Sequence, residues 1–113
     1  MTENPQILTR ITDFLLYLIP QIAKFPKSQR YNLGERIENV MLDVFENIIE
    51  ALYTKDKILI LQRANIDIEK VRLFIRLAKD LELINLHGYE IMTKKLHEIG
   101  IELGGWIKQQ KTK

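Results

Sequence analysis

The chain has 113 residues, 46% of them hydrophobic and 28% charged, and its formal net charge is +2. This composition argues against an intrinsically disordered chain. The net charge is also closer to zero than in most dedicated nucleic-acid binders. Because there is no cysteine, disulfides and thiolate metal sites are excluded, which is compatible with a reducing cytoplasm. We expect residues 1–113 to form a single cytoplasmic domain with one apolar core.

The sequence predicts neither export nor a membrane span. The N-terminal stretch MTENPQILTR lacks the basic region and following apolar run of a secretory signal. The most apolar window, DFLLYLIPQIA, has about half of the ~20 residues that a membrane-spanning helix requires. We interpret this window as part of a buried helix.

The first predicted helix begins at Pro5 with Asn4 as its N-cap, because proline is favoured in the first helical position. Pro20 removes one backbone hydrogen bond and predicts a kink, and Pro26 ends the helix. Apolar residues recur along it at helical spacing. They are Ile7, Ile11, Phe14, Leu18 and Ile22, with Leu8, Leu15 and Ile19 widening the row.

The second predicted helix starts with a capping box. Asn32 is its N-cap, and Glu35 lies three residues later, where its side chain can reach the amide of the cap. The segment YTKDK ends this helix. Its apolar positions are Leu33, Ile37, Val40, Met41, Val44, Ile48 and Leu52.

The third predicted helix covers ILILQRANIDIEKVRLFIRLAKDLELI, and the fourth follows the turn INLHG over roughly residues 86–109. Four amphipathic helices of about twenty residues with short joints predict an all-α fold, an antiparallel up-down four-helix bundle. The predicted buried row of the third helix is Leu61, Ala64, Ile68, Val71, Phe74, Ala78 and Leu81.

The apolar rows of the first two helices are wider than one buried seam requires. Tyr17, Ile19, Phe45 and Ile49 lie off the narrowest core line. Exposed in a monomer, they would form an apolar patch of the kind that marks interfaces, so we expect the bundle to self-assemble.

The sequence offers little for catalysis or metal binding. His87 and His97 are the only histidines and have no third ligand at metal spacing, and Ser28 is the only serine. An acidic group on the second helix lacks the Glu-x-x-His motif of two-metal bundles. It consists of Asp43, Glu46 and Glu50. We predict no catalytic residues, no cofactor and no metal, and hence a protein that is not an enzyme.

Glycines are concentrated in EIGIELGGWIK, where Gly100 and Gly104 are about one turn apart and Gly105 precedes Trp106. Each glycine inside a helix costs about 1 kcal/mol relative to alanine. Two interpretations remain open: another backbone approaches closely here, or the helix bends or ends with a glycine cap.

Basic side chains occur in the joint KFPKSQRYNLGERI and in a stripe on the third helix formed by Arg72, Arg76 and Lys79. The stripe can serve phosphate binding or intrahelical pairing, with Arg72 on Glu69 and Arg76 on Asp80. The row Glu90, Lys94 and Glu98 on the fourth helix is typical of a salt-bridged, solvated face.

Three blocks of the chain resemble a known four-helix-bundle family. KFPKSQRYNLGERIENVMLDVFENIIEALY, FIRLAKDLELI and EIGIELGGWIK look like the accessory variability determinant (Avd) proteins of diversity-generating retroelements. Proteins encoded within large-subunit rRNA intervening sequences belong to the same family. The resemblance covers roughly residues 15–108, with all three blocks in the same order and spacing.

This resemblance implies a homopentameric barrel of bundles that binds the retroelement reverse transcriptase and template RNA, and possibly DNA, in support of mutagenic cDNA synthesis. The nucleic-acid-binding positions that it implies are Lys27, Arg30, Arg36, Arg72, Arg76 and Lys79. Gly104, Gly105 and Trp106 match the terminal motif of the family, to which we assign a packing role.

An alternative follows from the charge of this chain. The retroelement proteins are strongly basic, whereas this chain has 17 basic and 15 acidic residues. The near balance favours a protein of the rRNA intervening-sequence type, with a structural or protein-binding role and no nucleic-acid function. Five copies of a local basic patch around a ring would nevertheless add their fields at one surface.

Overall fold

The computed structural model describes residues 5–113, and this part of the chain contains helices and turns but no β-strand. The all-α prediction is therefore confirmed for these residues. The elements are α1 (Pro5–Ala23), α2 (Lys27–Gln29), a π-helical segment (Arg30–Gly34), α3 (Glu35–Leu52), α4 (Ile58–Asp80) and α5 (Leu86–Lys111). The predicted N-cap Asn4 lies outside the described residues.

The second rod begins six residues earlier than the capping box predicted. The chain leaves the extended conformation at Pro26 (φ −53°, ψ 147°), and the amide of Arg30 donates to the carbonyl of Pro26 at 2.9 Å. α2, the π-helical segment and α3 run on without a break, and the amide of Glu35 donates to the carbonyl of Arg30, five residues back. The prediction of Asn32 as a cap with Glu35 is therefore wrong, because proline starts the helix and the π turn carries it past Asn32.

The predicted buried rows are largely confirmed. All five central positions of α1 are buried, and the row of α3 is buried except for the half-buried Val40 and Leu52. In α4 two of the predicted positions are wrong: Ile75 is buried in place of the half-buried Phe74, and Leu81 is exposed beyond the helix end. Val71, Ile75 and Ala78 keep the helical spacing of four and three residues that points to the core.

The four rods enclose one apolar cluster in a body of 46 × 23 × 19 Å. α1 packs on α3 and α5, and α4 packs on the same two helices. Arg10 on α1 forms ion pairs with Glu98 (3.3 Å) and Glu102 (3.0 Å) on α5, and Lys95 pairs with Asp13 at 3.4 Å. In the described residues, no helix is long and apolar enough to cross a membrane.

The four off-core residues of the first two rods have different environments. Ile19 and Ile49 are exposed, whereas Tyr17 and Phe45 are half-buried against the core. The predicted patch is thus smaller than the sequence pattern suggested. A more exposed apolar row lies on α4 and is considered below.

Glu82, two residues past the end of α4, has a left-handed backbone conformation, with φ at 63°. Its amide donates to the carbonyl of Lys79, and the amide of Leu83 donates to the carbonyl of Ala78, both at 2.9 Å. These two bonds form the helix-ending motif that glycine favours, because glycine has no Cβ to strain there.

We expect Glu82→Gly to raise the free energy of unfolding by about 1 kcal/mol, since the left-handed conformation costs about that much for a residue with a Cβ. Glu82→Ala is the matched control, because it removes the same charge but keeps the Cβ. Urea unfolding of both variants measures the difference. Equal stabilities of the two variants would contradict this account.

Glu38, in the first turn of α3, is half-buried, and burial followed by repulsion from Glu35 raises its pKa above the ordinary value of 4.5. The folded state therefore binds this proton more tightly than the unfolded chain does. Ionisation of Glu38 therefore lowers the free energy of unfolding. This loss is absent at a pH below the pKa of Glu38 in the unfolded chain, grows as the pH rises toward its pKa in the folded state, and is complete above that.

We therefore expect Glu38→Gln to raise the melting temperature at pH 7, with a gain that shrinks as the pH falls through the range of Glu ionisation. Glu90→Gln, at an exposed position of α5 with no ion-pair partner within the described residues, is the control. Thermal unfolding followed by circular dichroism between pH 3 and pH 7 measures both. A gain from Glu38→Gln that grew on acidification would have the wrong sign.

Candidate nucleic-acid interface

The six predicted nucleic-acid-binding residues lie in two groups. Lys27 starts α2, Arg30 starts the π-helical segment, and Arg36 is the second residue of α3. We call these three residues the joint cluster. The remaining residues, Arg72, Arg76 and Lys79, lie along the side of α4 that meets α5.

Two contacts with neighbouring residues hold the side chain of Arg30 in place. Its Nη2 donates to the carbonyl of Phe25 at 3.4 Å, and its guanidinium carbon lies 5.8 Å from the centre of the Tyr31 ring. Its buried Nε has no hydrogen-bond partner among the described residues. Arg30 therefore combines a structural contact with a donor that remains unused.

Lys27 and Arg36 are the more available members of the joint cluster. Both are exposed, and neither makes an ion pair with another residue of the described chain. Arg36 lines a cavity of about 300 Å³ together with Tyr31 and Asn32. Asn32, which is exposed and does not cap a helix, thus adds an amide to the same surface.

The α4 residues border an open groove between α4 and α5, which we call the α4–α5 groove. It consists of two adjoining cavities of about 360 and 220 Å³. Arg72, Tyr89 and Thr93 line both cavities. The other lining residues are Glu90, Lys94 and His97 in the first cavity, and Glu69, Leu73, Ile75, Arg76 and Leu96 in the second.

Arg72 crosses from α4 to α5 and is the best-fixed cation of the groove. Its Nε donates to Oε2 of Glu69 at 3.1 Å, as the intrahelical interpretation predicted. Its Nη2 donates to the carbonyl of Leu96 on α5 at 3.5 Å. A Cβ added to Gly100 would lie 2.9 Å from that Nη2. The missing side chain of Gly100 therefore makes room for the guanidinium.

Arg76 and Lys79 have different surroundings. The predicted pair between Arg76 and Asp80 is wrong: Asp80 lies 3.5 Å from Nζ of Lys79, and the exposed Arg76 has no ion-pair partner within residues 5–113. Nζ of Lys79 also lies 4.7 Å from the centre of the Tyr89 ring, within the range of a cation–π contact. Of these two cations, Arg76 is free of ion pairs in this part of the chain, whereas Lys79 is both paired and stacked on a ring.

The α5 side of the groove was not predicted. The row containing Lys94 is not a salt-bridged face, because Glu98 pairs with Arg10, whereas Lys94 and Glu90 line the groove. Tyr89, Thr93 and His97 share this side. Their spacing of four residues was visible in the sequence, but only the packing of α5 on α4 shows that they face Arg72.

Within the described chain, the glycines neither end the helix nor receive another backbone. α5 continues through them to Lys111, and in the described chain nothing lies within 4 Å of a Cβ placed on Gly104 or Gly105. The close approach occurs at Gly100 and comes from a side chain rather than a backbone. Trp106 is buried in the core, in agreement with its predicted packing role.

The groove can bind an anion but offers no visible reaction centre. Four basic side chains, Arg72, Arg76, Lys79 and Lys94, are set against three carboxylates, those of Glu69, Glu90 and Asp80, the last of which pairs with Lys79. Guanidinium and ammonium donors next to an aromatic ring suit a phosphate backbone with an adjacent base. Within the described part of the chain, no cluster of three potential metal ligands occurs.

The tight fit of Arg72 on Gly100 can be tested with two glycine substitutions. Gly104→Ala enters open space and should stabilise the fold by about 0.5–1 kcal/mol through helix propensity. Gly100→Ala should stabilise the fold by about 1 kcal/mol less than Gly104→Ala does, because it displaces Arg72 from the carbonyl of Leu96.

A double-mutant cycle measured by urea unfolding isolates this contact. In an Arg72→Ala background, Gly100→Ala should recover the full gain seen for Gly104→Ala. If Gly100→Ala and Gly104→Ala stabilise the otherwise unchanged chain equally, the guanidinium is not held against Gly100.

Comparison with known families agrees with this architecture. The sequence profile of the bAvd-like family matches residues 6–110, a range that covers the four rods to within one residue at each end and includes the joint cluster and the α4–α5 groove. A comparison with curated proteins gave no match. The predicted relationship to the Avd proteins is thereby confirmed, and the chain belongs to the bAvd-like family.

Proposed function

We propose that this protein is a non-catalytic accessory protein of a diversity-generating retroelement, which binds template RNA and the reverse transcriptase in the cytoplasm. The observation that carries the proposal is the α4–α5 groove, where cations surround an aromatic ring. Membership of the bAvd-like family supports the accessory role.

The groove suits single-stranded nucleic acid better than a base-paired helix. Stacking of a base on an aromatic ring contributes about 1–3 kcal/mol and tolerates any base. Tyr89 is half-buried, and Nζ of Lys79 lies 4.7 Å from the centre of its ring, so the ring lies beside the cations. Arg76 and Lys94 have no ion-pair partner among residues 5–113 and can neutralise phosphates without losing a structural contact.

We further propose that the chain is one antiparallel up-down bundle that assembles as a homopentamer. The ion pairs between α1 and α5 support the antiparallel arrangement. Arg10 pairs with Glu102, whereas Asp13, which comes later in α1, pairs with Lys95, which comes earlier in α5. A net charge of +2 per chain is modest, and a ring would repeat each basic surface five times. Possible DNA binding would use the same surfaces.

The near balance of charge supports a second candidate function. As in the rRNA intervening-sequence relatives, the chain would then be an oligomeric bundle that binds other proteins and no nucleic acid. The ion pair of Arg72 with Glu69 favours this candidate, because it uses one groove cation structurally.

RNA binding distinguishes the two candidates. We expect single-stranded RNA to bind with an affinity that falls steeply with salt. Arg76→Glu combined with Lys94→Glu should weaken binding and reduce the slope of log K against log salt by about 1.4, if each side chain neutralises one phosphate. Fluorescence anisotropy between 50 and 300 mM salt measures both quantities.

The matched control is Lys108→Glu combined with Lys111→Glu. These exposed residues near the end of α5 carry the same charge and lie outside both basic groups. An equal loss in the control pair would indicate a diffuse field rather than the groove. Absence of RNA binding at micromolar protein and low salt would favour the protein-binding candidate.

A further inference from the structure

The face of α4 that points away from the core carries a row of exposed apolar side chains, which we call the outer row. Leu59, Ile66 and Leu73 recur every seven residues, and Leu77 follows four residues later, so all four share one helix face. Their exposed fractions are 76%, 58%, 65% and 46%. An apolar strip about 27 Å long on the water side of a helix marks an interface.

Basic residues border the outer row on one side. Arg63 and Lys70 are also seven residues apart, and both are exposed. Lys70 lies 3.6 Å from Asp67, and Arg63 has no ion pair inside the described range. At 100° per residue, Arg76 lies on the opposite border of the row. The outer row therefore adjoins the α4–α5 groove at Arg76 and at Leu73, both of which line the second cavity.

A face of α3 has the complementary pattern. Leu42 and Ile49 are seven residues apart and each is 38% exposed. Asp43 and Glu50 are also seven residues apart, with Glu46 between them, and all three carboxylates are exposed. None of them forms an ion pair with another described residue. This α3 face thus has the same apolar spacing as the outer row and the opposite charge.

We propose that the outer row of α4 binds this α3 face of a second copy of the chain. The inference rests on the self-assembly in the proposed function and deepens it by naming the two surfaces. Two outer rows facing each other would bring Arg63 and Lys70 of both copies together, which like-charge repulsion disfavours. Matching spacing and opposite charge instead select α3 as the occupant.

The proposed contact joins two different surfaces, and this has a geometric consequence. Each copy would offer its outer row to one neighbour and its α3 face to another. Such head-to-tail interfaces produce a closed ring when the rotation between copies closes, and an open filament when it does not. No residue of the outer row lines the first cavity of the groove, so that cavity stays open in such a contact, whereas Leu73 brings the neighbour to the edge of the second cavity.

The first test is the particle mass of Ile66→Asp, measured by light scattering. Ile66 is exposed, so the helical content should stay unchanged, whereas a buried carboxylate in the interface should reduce the assembly to the 13.4 kDa chain. Ile101→Asp is the matched control, because Ile101 on α5 is similarly exposed and lies outside the outer row. The control should keep the mass of the unsubstituted protein.

Charge reversal then identifies the partner surface. Arg63→Glu with Lys70→Glu, and separately Asp43→Lys with Glu50→Lys, should each raise the dissociation constant at least about tenfold. A chain carrying all four substitutions should assemble again, because every interface then has opposite charges. Failure of the combined chain to recover would overturn the assignment to α3.

Mixing two defective chains tests the head-to-tail geometry. Ile66→Asp retains its α3 face, and the chain with Asp43→Lys and Glu50→Lys retains its outer row, so an equal mixture should form dimers and nothing larger.

If Ile66→Asp keeps the mass of an oligomeric parent, the outer row serves another partner and this inference alone is overturned. A monomeric parent would also overturn the proposed ring, whereas the RNA titration of the groove variants would stand independently.

Discussion

Burial of one continuous apolar cluster between four helical rods decides which side chains remain available for binding. Each rod packs against two neighbours and can offer only the faces that point away from the centre. α4 illustrates this constraint most clearly, because a buried row, a cationic side and an exposed apolar row divide its circumference. The candidate functions of the protein follow from these remaining faces rather than from any enclosed cavity.

The contact of Arg72 with α5 links the packing to the candidate binding surface. Burial of the α4 row brings Arg72 against Gly100, and the guanidinium reaches the carbonyl of Leu96 because no Cβ stands in its way. The fixed guanidinium then lines both cavities of the groove with Tyr89. Arg72 therefore has a structural role, whereas Arg76 and Lys94 have no ion-pair partner within residues 5–113, so the phosphate contacts proposed for them would leave the bundle undisturbed.

The sequence predicted those parts of the structure that depend on local periodicity. The buried rows of α1 and α3 follow directly from apolar residues at helical spacing. The capping box failed because two signals competed: Pro26 starts a helix, and the π turn at residues 30–34 carries that helix past Asn32. The α4–α5 groove depends on the contact between Arg72 and Gly100. Because these residues lie on different helices and are distant in sequence, no local sequence pattern predicts this contact.

The position of the two α4 surfaces bears on how a weakly charged protein can bind nucleic acid. Arg76 borders the outer row on the groove side, whereas Arg63 and Lys70 border it on the other side. A neighbour bound to the outer row would direct its α3 carboxylates toward Arg63 and Lys70 and away from the groove. Each such interface would withdraw three carboxylates but only two cations from the solvent. The exposed surface of the assembly would then be more basic than the sequence of a single chain indicates.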